Sequence, residues 1–286
     1  MTLLKDKVAI ITGVSGGIGS TIAETLAKEG CNLVLAYHTF KKIVTVLKKI
    51  DQYKIQSLAV ATDVSSRRQI EALIARTMKR FFKIDILINA AGIYGPIGLF
   101  ANNDMDQWFK AIKINLIGTV LCTNAVLPFM IKQRRGKIIN FSGGGAVNPF
   151  PNFSSYATSK AAVVRFTETL AEELSSYNIQ INAISPGAVN TAFLDKALKA
   201  GPKFTGKKLY EKIKKQKMSG GDSPQLGADL VLFLSSKKSH KLSGKLISAK
   251  WDNWRKWDKK QIVKIMQSSE YALRRIDNKY FKEIKT

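Results

Sequence analysis

Cysteine and histidine are scarce in this sequence, and their shortage excludes several kinds of site. The 286 residues include two cysteines and two histidines. Cys31 and Cys122 lie far apart in apolar stretches, without the spacing of a metal site or a disulfide framework. We therefore expect no metal centre, two buried thiols and a reducing, cytoplasmic setting.

Long apolar runs are also missing. No uncharged apolar stretch of about 18 residues stands out, and the N-terminal segment MTLLKDKVAIITG has neither a long apolar core nor a cleavage site. The sequence therefore predicts no signal peptide, no transmembrane helix and no membrane partner.

Acidic residues are outnumbered by basic ones. The chain has 21 Asp and Glu against 46 Lys and Arg, which gives a net charge of +25. Such a balance favours an anionic partner, such as nucleic acid, an acidic membrane surface or a phosphorylated ligand. A lysine-rich surface also serves solubility alone, and both interpretations stay open. Hydrophobic residues make up 45%, which is enough for a sizeable core.

Short apolar runs alternate with helical patterns along the chain. We predict strands at residues 8–12, 32–36, 57–61, 84–89, 137–142, 180–185 and 245–249, and helices at 18–29, 41–50, 65–82, 104–134, 156–175 and 226–235. This alternation predicts an α/β fold: a Rossmann-type, doubly wound parallel sheet of about seven strands in one domain, residues 1–250. Residues 251–286 would form a C-terminal extension. Ligands of such folds bind at the carboxyl ends of the strands.

A glycine-rich loop, TGVSGGIG, follows the first strand and opens the first helix at residues 12–19. Glycines allow a tight turn and a close approach to a pyrophosphate, and a helix N-terminus presents free N–H groups and a partial positive charge. The loop therefore predicts dinucleotide binding. The predicted contacts are Gly13, Ser15, Gly17, Ile18 and Gly19.

This TGxxxGxG spacing, followed far downstream by the YxxxK of Tyr156 and Lys160, resembles the short-chain dehydrogenase/reductase family. The resemblance covers roughly residues 5–250. It implies an NAD(P)-dependent enzyme that interconverts a carbonyl and an alcohol on a small-molecule substrate. It also implies a homo-oligomer, either a dimer or a tetramer.

Three further motifs match the family in order. They are TDVS at residues 62–65, NAAG at 89–92 (the family's NNAG with its second Asn replaced) and PGAVNT at 186–191, which resembles PGxxxT. By resemblance the first would hold the adenine, the second would line the cofactor and the third would reach the nicotinamide amide. A helix cap, a support for the sheet and a plain turn are the structural alternatives. The implied cofactor contacts are Asp63, Val64, Asn89, Ala90, Gly92, Pro186, Gly187, Val189 and Thr191.

The end of the second strand favours NADP(H). A member of the family that prefers NAD usually has an acidic residue where Tyr37 aligns, and a carboxylate there repels a 2′-phosphate. This chain has no acidic residue at that point, which favours NADP(H). The basic residue that is frequent in the family's glycine loop would also favour NADP(H), but Gly16 stands in its place. NAD(H) therefore stays possible. Ser15, His38 and Thr39 could donate hydrogen bonds to such a phosphate, and Lys41 and Lys42 add positive charge. Tyr37 is a further predicted cofactor contact.

Tyr156 and Lys160 lie one helical turn apart. A free tyrosine, with a pKa near 10, is a poor base at neutral pH, and a nearby ammonium favours its phenolate. By resemblance, Tyr156 is the acid/base and also a cofactor contact. Lys160 lowers its pKa and bonds the nicotinamide ribose, and Asn115 holds a water that links Lys160 to solvent. For Asn115, a structural polar contact without a relay role is the alternative.

The family's catalytic serine is displaced. Its usual place, thirteen residues before the tyrosine, is Gly143, and Ser142 lies one residue early. One step along a strand turns a side chain to the opposite face. Either the glycines at 143–145 let Ser142 swing inward, or a backbone N–H of that run polarises the carbonyl instead. Ser154 or Ser155 reaching into the site is a third possibility.

Residues 191–222 resemble the family's substrate lid and form a basic, mobile insertion in our interpretation. Between residues 195 and 217 there are nine lysines and only two acidic residues. This excess of positive charge favours an anionic, phosphorylated or sugar-like substrate. The alternative is that the lysines form only a solvated helix face.

The C-terminal extension contains Trp251, Trp254 and Trp257 at three-residue spacing. This spacing places them on one helical face, which we expect to dock on the body or on a neighbouring subunit.

We therefore expect an NAD(P)-dependent oxidoreductase that uses Tyr156 for proton transfer. Two alternatives remain: a non-catalytic dinucleotide sensor or nucleic-acid binder on the same fold, and an epimerase or dehydratase. The sequence has no recognisable nucleic-acid module, and basic charge alone is weak support for one, so we do not expect nucleic acid as a partner.

Overall fold

The computed structural model describes residues 2–275 of the chain. Its centre is a seven-stranded sheet in the order β3-β2-β1-β4-β5-β6-β7, in which every neighbouring pair is parallel. The strands are β1 (Val8–Thr12), β2 (Asn32–Tyr37), β3 (Ser57–Ala61), β4 (Ile86–Asn89), β5 (Gly136–Phe141), β6 (Ile179–Ser185) and β7 (Leu246–Ser248). The strand order reverses between β1 and β4, and the predicted doubly wound sheet is confirmed.

Helices cover both faces of the sheet. They are α1 (Gly17–Lys28), α2 (Phe40–Ile50), α3 (Arg67–Phe81), α4 (Met105–Ile112), α5 (Gly118–Gln133), α6 (Ser154–Glu173), α7 (Ala192–Thr205), α8 (Lys207–Met218), α9 (Pro224–Ser235) and α10 (Lys259–Met266). The side chains of β1 point alternately to the two faces of the sheet and show which helices cover each face. Ala9 and Ile11 pack with α1, α2 and α9, whereas Val8 and Ile10 pack with α3, α5 and α6. Each face therefore buries an apolar layer of its own.

The region predicted as one helix at 104–134 is divided. A π-helical segment, Lys113–Ile117, separates α4 from α5 and contains the fully buried Asn115. The combined segment Met105–Gln133 is long and apolar enough to cross a membrane. Our expectation that the sequence has no apolar stretch of that length is therefore wrong. One helix of this kind is weak evidence for a membrane. Here Cys122, Val126 and Met130 pack against the sheet, as in the core helix of a soluble fold.

Residues 191–222, interpreted from sequence as a basic, mobile insertion, contain the two helices α7 and α8. The backbone of α7 is broken at Gly201, where φ is +79°. Leu194, Ala197 and Ile213 bury the inner face of this pair. The lysines occupy the outer face and rim.

The C-terminal extension packs on the body, but not as one tryptophan stripe. Trp254 and Trp257 are buried against Phe233 of α9, whereas Trp251 is exposed in a turn. The three side chains do not share one helical face, because the helical segment here is the short 3-10 helix Trp254–Lys256. Tyr271 follows, and its carbonyl accepts the N–H of Leu246 at 2.7 Å, at the edge of β7. Residues 276–286 of the predicted extension lie outside the described residues.

Candidate active site

The carboxyl ends of β1, β4 and β5 bring the sequence motifs together. Thr12 pairs with Asn89 across β1 and β4, and Asn89 pairs with Asn140 across β4 and β5. The glycine loop, the NAAG segment and Ser142 therefore lie along one edge of the sheet. The topology alone fixes this arrangement, because parallel strands end on the same side.

The glycine loop is shaped by contacts that exclude side chains. Gly13 has φ of +68°, and a Cβ there would lie 2.6 Å from the Cα of Ala91. A Cβ on Gly19 would lie 2.5 Å from the carbonyl oxygen of Gly13. The N-cap of α1 is Gly16, with no side-chain cap from the described residues and no acidic residue in the first turn. This bare backbone and open helix N-terminus fit a pyrophosphate.

Buried amides tie the strand ends to the helices. The Nδ2 of Asn89 donates to the Oδ1 of Asn140 at 2.9 Å and to Thr123, and Asn140 donates in turn to Thr167 on α6. Burial makes these hydrogen bonds obligatory. Asn89 therefore supports the sheet, and its Oδ1 is left without a partner within residues 2–275.

Asn115 joins three elements through its side chain. Its Oδ1 accepts the backbone N–H of Ile93 at 2.8 Å, and its Nδ2 donates to the carbonyl of Ile93 and to the Oγ of Ser159, both at 2.9 Å. The π-helical turn is what points this amide between the NAAG loop and α6. The Asn115 side chain thus fixes the helix that carries Tyr156 and Lys160.

Tyr156 and Lys160 are both buried on α6, beside the end of β5. The Nζ of Lys160 donates to the carbonyl of Phe141 at 2.7 Å and lies 5.8 Å from the centre of the Tyr156 ring. Burial lowers the pKa of Lys160 to about 8. Burial also raises the pKa of Tyr156, with a smaller contribution from Tyr94. In the protein alone, the phenol is therefore held in its protonated form.

Aromatic residues that the sequence motifs do not include enclose this tyrosine. The ring centre of Tyr94 lies 4.9 Å from that of Tyr156, and Phe193 and Phe150 lie 6.0 and 6.4 Å away. Their positions in sequence hold the only available signal: Tyr94 comes two residues after NAAG, and Phe193 two residues after PGxxxT. Burial raises the pKa of Tyr94 to about 12, so it remains neutral.

Ser142 stays in the sheet ladder. Its N–H donates to the carbonyl of Ile184 at 2.8 Å, and its buried Oγ has no hydrogen-bond partner in the described part of the chain. A Cβ built on Gly143 would overlap the hydroxyl of Tyr156. Ser154 accepts the indole N–H of Trp108 at 3.0 Å, and Ser155 donates to the carbonyl of Tyr94 at 3.1 Å. Both of the latter hydroxyls are therefore held by groups other than Tyr156.

Comparison with known proteins matches this arrangement to one family. The family model described as short chain dehydrogenase matches residues 7–201. A 3-oxoacyl-[acyl-carrier-protein] reductase of Thermotoga maritima is 30% identical over 244 residues, which cover 85% of this chain and 96% of that protein. An uncharacterized oxidoreductase of Staphylococcus saprophyticus is 36% identical over 192 residues, or 67% of this chain and 82% of that protein.

The chain belongs to the short-chain dehydrogenase/reductase family. It is an enzyme of this oxidoreductase family, as the resemblance of its motifs implied. Among solved structures, levodione reductase aligns with a TM-score of 0.80 and 28% identity over 89% of this chain and all of that one.

Two other similar structures differ in their cofactor. An NAD+-bound xylitol dehydrogenase aligns with a TM-score of 0.77 at 27% identity, over 86% of this chain and 98% of that one. An actinorhodin polyketide ketoreductase variant with NADPH aligns with a TM-score of 0.78 at 26% identity, over 86% of this chain and 97% of that one. Members of similar fold thus bind either nicotinamide cofactor.

The PGxxxT segment of this short-chain dehydrogenase/reductase is fixed from two sides. Gly187 has φ of +97°, and the next N–H, that of Ala188, donates to Asp222 at 2.7 Å. Asp222 also pairs with Lys250 at 2.6 Å. At the other end, the methyl group of Thr191 would lie 3.7 Å from a Cβ on Gly17. The segment therefore borders the glycine loop.

The far end of the glycine-loop edge carries mixed charge. Tyr37 is half-buried, and His38 and Thr39 are exposed before α2. The Oδ1 of Asp63 accepts the N–H and the hydroxyl of Ser65 at 2.9 and 2.8 Å. The hydrogen bond from the Ser65 N–H, followed by the one from the Ser65 hydroxyl, lowers the pKa of Asp63.

An open cleft of about 480 Å³ lies between the loop after β4 and α7, and begins at Gly95, the residue that follows Tyr94. Lys196 closes one side of it, because its Nζ donates to the carbonyl of Gly95 at 2.7 Å. The walls are largely apolar, with Lys196, Lys199 and Gln107 as the polar side chains. The lining residues are Gly95, Pro96, Ile97, Gln107, Lys196, Lys199, Ala200 and Phe204.

Proposed function

We propose that this enzyme interconverts a carbonyl and an alcohol by hydride transfer with a nicotinamide cofactor, using Tyr156 as the proton donor and acceptor. The observation that carries the proposal is the buried pair of Tyr156 and Lys160 at the carboxyl end of β5, beside a glycine loop with a bare helix N-terminus. A phenol and an ammonium in this relation suit general acid–base work on a carbonyl oxygen.

The cofactor would lie along the carboxyl edge of the sheet. The backbone N–H groups of the glycine loop would hold its phosphates, and Asp63 and Val64 its adenine. NAAG and PGxxxT would border its nicotinamide end, with Val189 and Thr191 nearest to that ring. When bound, a nicotinamide cofactor supplies the hydride in reduction and accepts it in oxidation.

The proton would pass through this chain's own groups. In reduction, the phenol of Tyr156 gives its proton to the substrate oxygen, and the ammonium of Lys160 stabilises the phenolate that results. Asn115 positions the helix and, in our proposal, serves the proton relay to solvent. Ser142 or a backbone N–H of residues 143–145 would polarise the carbonyl, whereas Ser154 and Ser155 are occupied elsewhere.

The rate of reduction is expected to fall as the pH rises through about 8. Burial lowers the pKa of Lys160 to about 8, so its positive charge is complete well below that pH and lost above it. The measurement is kcat/KM for reduction between about pH 6 and 10 at saturating cofactor. Lys160→Arg, which keeps its charge, should move the fall to higher pH. A profile that is flat through pH 8 would contradict this role.

We propose NADP(H) as the preferred cofactor. No acidic residue ends β2, the N-terminus of α2 has no acidic residue in its first turn, and Lys41 and Lys42 are exposed there. These features favour a 2′-phosphate over a free ribose hydroxyl. Fluorescence titration at low and at moderate salt should therefore show tighter binding of NADPH than of NADH.

Tyr37→Asp is the matching variant. The new carboxylate should reverse the preference, because it repels a 2′-phosphate and accepts hydrogen bonds from ribose. The selectivity is the ratio of the Kd for NADH to the Kd for NADPH. This ratio changes tenfold for each change of about 1.4 kcal/mol in the difference between the two binding free energies. Lys79→Ala, on the exposed face of α3, serves as the charge control. Equal affinities of the unmodified enzyme for NADPH and NADH would contradict the preference.

We further propose an anionic substrate, phosphorylated or sugar-like, guided by the lysines of α7 and α8. Lys199 lines the cleft, and Lys196, Lys203, Lys207 and Lys208 lie on the same pair of helices. An exposed charge attracts more weakly as salt screens it. KM for such a substrate should therefore rise with salt, and Lys199→Ala should raise KM more than Lys79→Ala does. A KM independent of salt would rule out this attraction.

By resemblance to its family, we also propose that the enzyme is cytoplasmic and assembles as a dimer or tetramer. The non-catalytic alternatives, a dinucleotide sensor or a nucleic-acid binder, are less favoured, because the acid–base pair is intact and the similar proteins are oxidoreductases. An epimerase or dehydratase would use the same tyrosine without net consumption of cofactor. Turnover that consumes the cofactor in proportion to product separates that case from ours.

A further inference from the structure

Gly143 lies two residues beyond the end of β5, directly against the hydroxyl of Tyr156. A Cβ built on Gly143 would overlap the hydroxyl oxygen and would lie 3.3 Å from Cζ and 3.7 Å from Cε1 of the same ring. All three of the nearest atoms thus belong to Tyr156. The head of the tyrosine takes the volume that a side chain at position 143 would fill.

Neither partner of this contact yields easily. The Tyr156 ring is enclosed by Tyr94, Phe150 and Phe193, so the phenol cannot swing aside without displacing them. On the strand side, the N–H of Ser142 is bonded to the carbonyl of Ile184, and the carbonyl of Gly143 accepts the N–H of Ala146 at 3.2 Å. Close-packed interiors transmit such overlaps rather than absorb them.

We propose that Gly143 is a positioning residue for Tyr156. Because it has no side chain, the phenol reaches the end of β5, and any side chain there, a serine included, moves the hydroxyl and slows proton transfer. This inference rests on the proposed function, since it concerns the same tyrosine. It also gives a reason for the displaced serine: at position 143, a serine and the observed tyrosine compete for one space.

The test compares Gly143→Ala and Gly143→Ser with Gly144→Ala. A Cβ on Gly144 meets no atom of the described residues within 4 Å, and its φ is outside the left-handed region, so the neighbouring variant adds the same methyl group without an overlap. Both variants of Gly143 should lower kcat, by about 10²-fold for a displacement near 1 Å, while the Kd for cofactor changes far less. Gly144→Ala should keep a higher kcat than either.

Gly143→Ser gives the sharpest result, because it restores the hydroxyl that the family usually has at this place. If Gly143→Ser is as active as the unmodified enzyme, or more active, the inference is overturned. An equal loss of kcat in Gly144→Ala would also overturn it, since that variant adds the same methyl group without an overlap.

A stability cycle tests the contact without any assay of turnover. Gly143→Ala is introduced into the unmodified protein and into Tyr156→Phe, which lacks the overlapping oxygen. The midpoint of thermal unfolding should fall more in the first background than in the second. Equal shifts would refute the contact. An unmodified enzyme that turns over no carbonyl would instead refute the proposed function, and the cycle would still decide whether Gly143 makes room for Tyr156.

Discussion

Tyr156→Phe is expected to lower kcat by about 10²–10⁴-fold, the usual contribution of a general acid. The substitution removes one oxygen from a ring that Tyr94, Phe150 and Phe193 enclose, so the packing of the site should be preserved. The glycine loop lies on other elements, and the Kd for the cofactor should therefore change little. Steady-state rates and a fluorescence titration on the same preparation measure both quantities.

The control for this variant is Tyr53→Phe, which removes the same oxygen from a half-buried tyrosine just after α2. It should leave kcat unchanged. If Tyr156→Phe kept the rate of the unmodified enzyme, Tyr156 would not be the proton donor, and a sensor or binding function would become the better account. If both kcat and cofactor affinity collapsed together, the effect would be structural.

Asp85→Ala is expected to cost about 2–4 kcal/mol of the free energy of unfolding. Asp85 is buried just before β4 and accepts hydrogen bonds from Lys7 at 3.0 Å and from the N–H of Val8 at 3.1 Å. Arg135 and Lys83 lie 3.3 and 3.9 Å from it. The substitution would leave a buried N–H without its acceptor and three cations close together. Because these cations are about one third to one half exposed, water offsets part of the loss.

Urea unfolding of Asp85→Ala and of Glu71→Ala measures this difference. Glu71 pairs with Arg67 at 2.8 Å on the surface of α3, and both side chains are more than half exposed. Removing that pair should cost less than about 1 kcal/mol. Asp85→Asn, which keeps one acceptor, should fall between the two. Equal losses for Asp85→Ala and Glu71→Ala would show that the carboxylate at the start of β4 does not tie the strands together.

The sheet could be predicted from sequence because its strands are short apolar runs that end in polar or glycine residues. β1 and β3 have the predicted bounds, and the other strands differ by one or two residues at their ends. Burial on both faces makes such runs distinctive. The two faces of β1, Ala9 with Ile11 and Val8 with Ile10, follow from the period of two.

The helices α7 and α8 could not be predicted with the same rule. Lysines cover most of their surface, and Ile213 is the one residue of α8 that is buried, so the apolar period is weak. The break at Gly201 further divides the pattern. In the extension, three-residue spacing suggested one helical face, but a turn leaves Trp251 exposed, and only Trp254 and Trp257 reach the core.

The part of the candidate site that sequence motifs contain could be predicted from the sequence. Gly13, Asn115, Tyr156 and Lys160 meet where parallel strands end, as the topology requires. The aromatic enclosure by Tyr94 and Phe193 has no motif, because packing against a ring can be achieved by many residues. The overlap of position 143 with the phenol could not be predicted either, since a sequence shows the missing serine but not what fills its place.

The most direct test of the account is deuteride transfer. The enzyme is incubated with NADPH that carries deuterium at C4 of the nicotinamide and with a panel of anionic carbonyl compounds, and the products are analysed by mass spectrometry. We expect deuterium on the carbinol carbon of one product, in proportion to the cofactor consumed, and labelling that is about 10²–10⁴-fold slower with Tyr156→Phe. Bound cofactor that labels no product, or equal labelling by Tyr156→Phe, would contradict it.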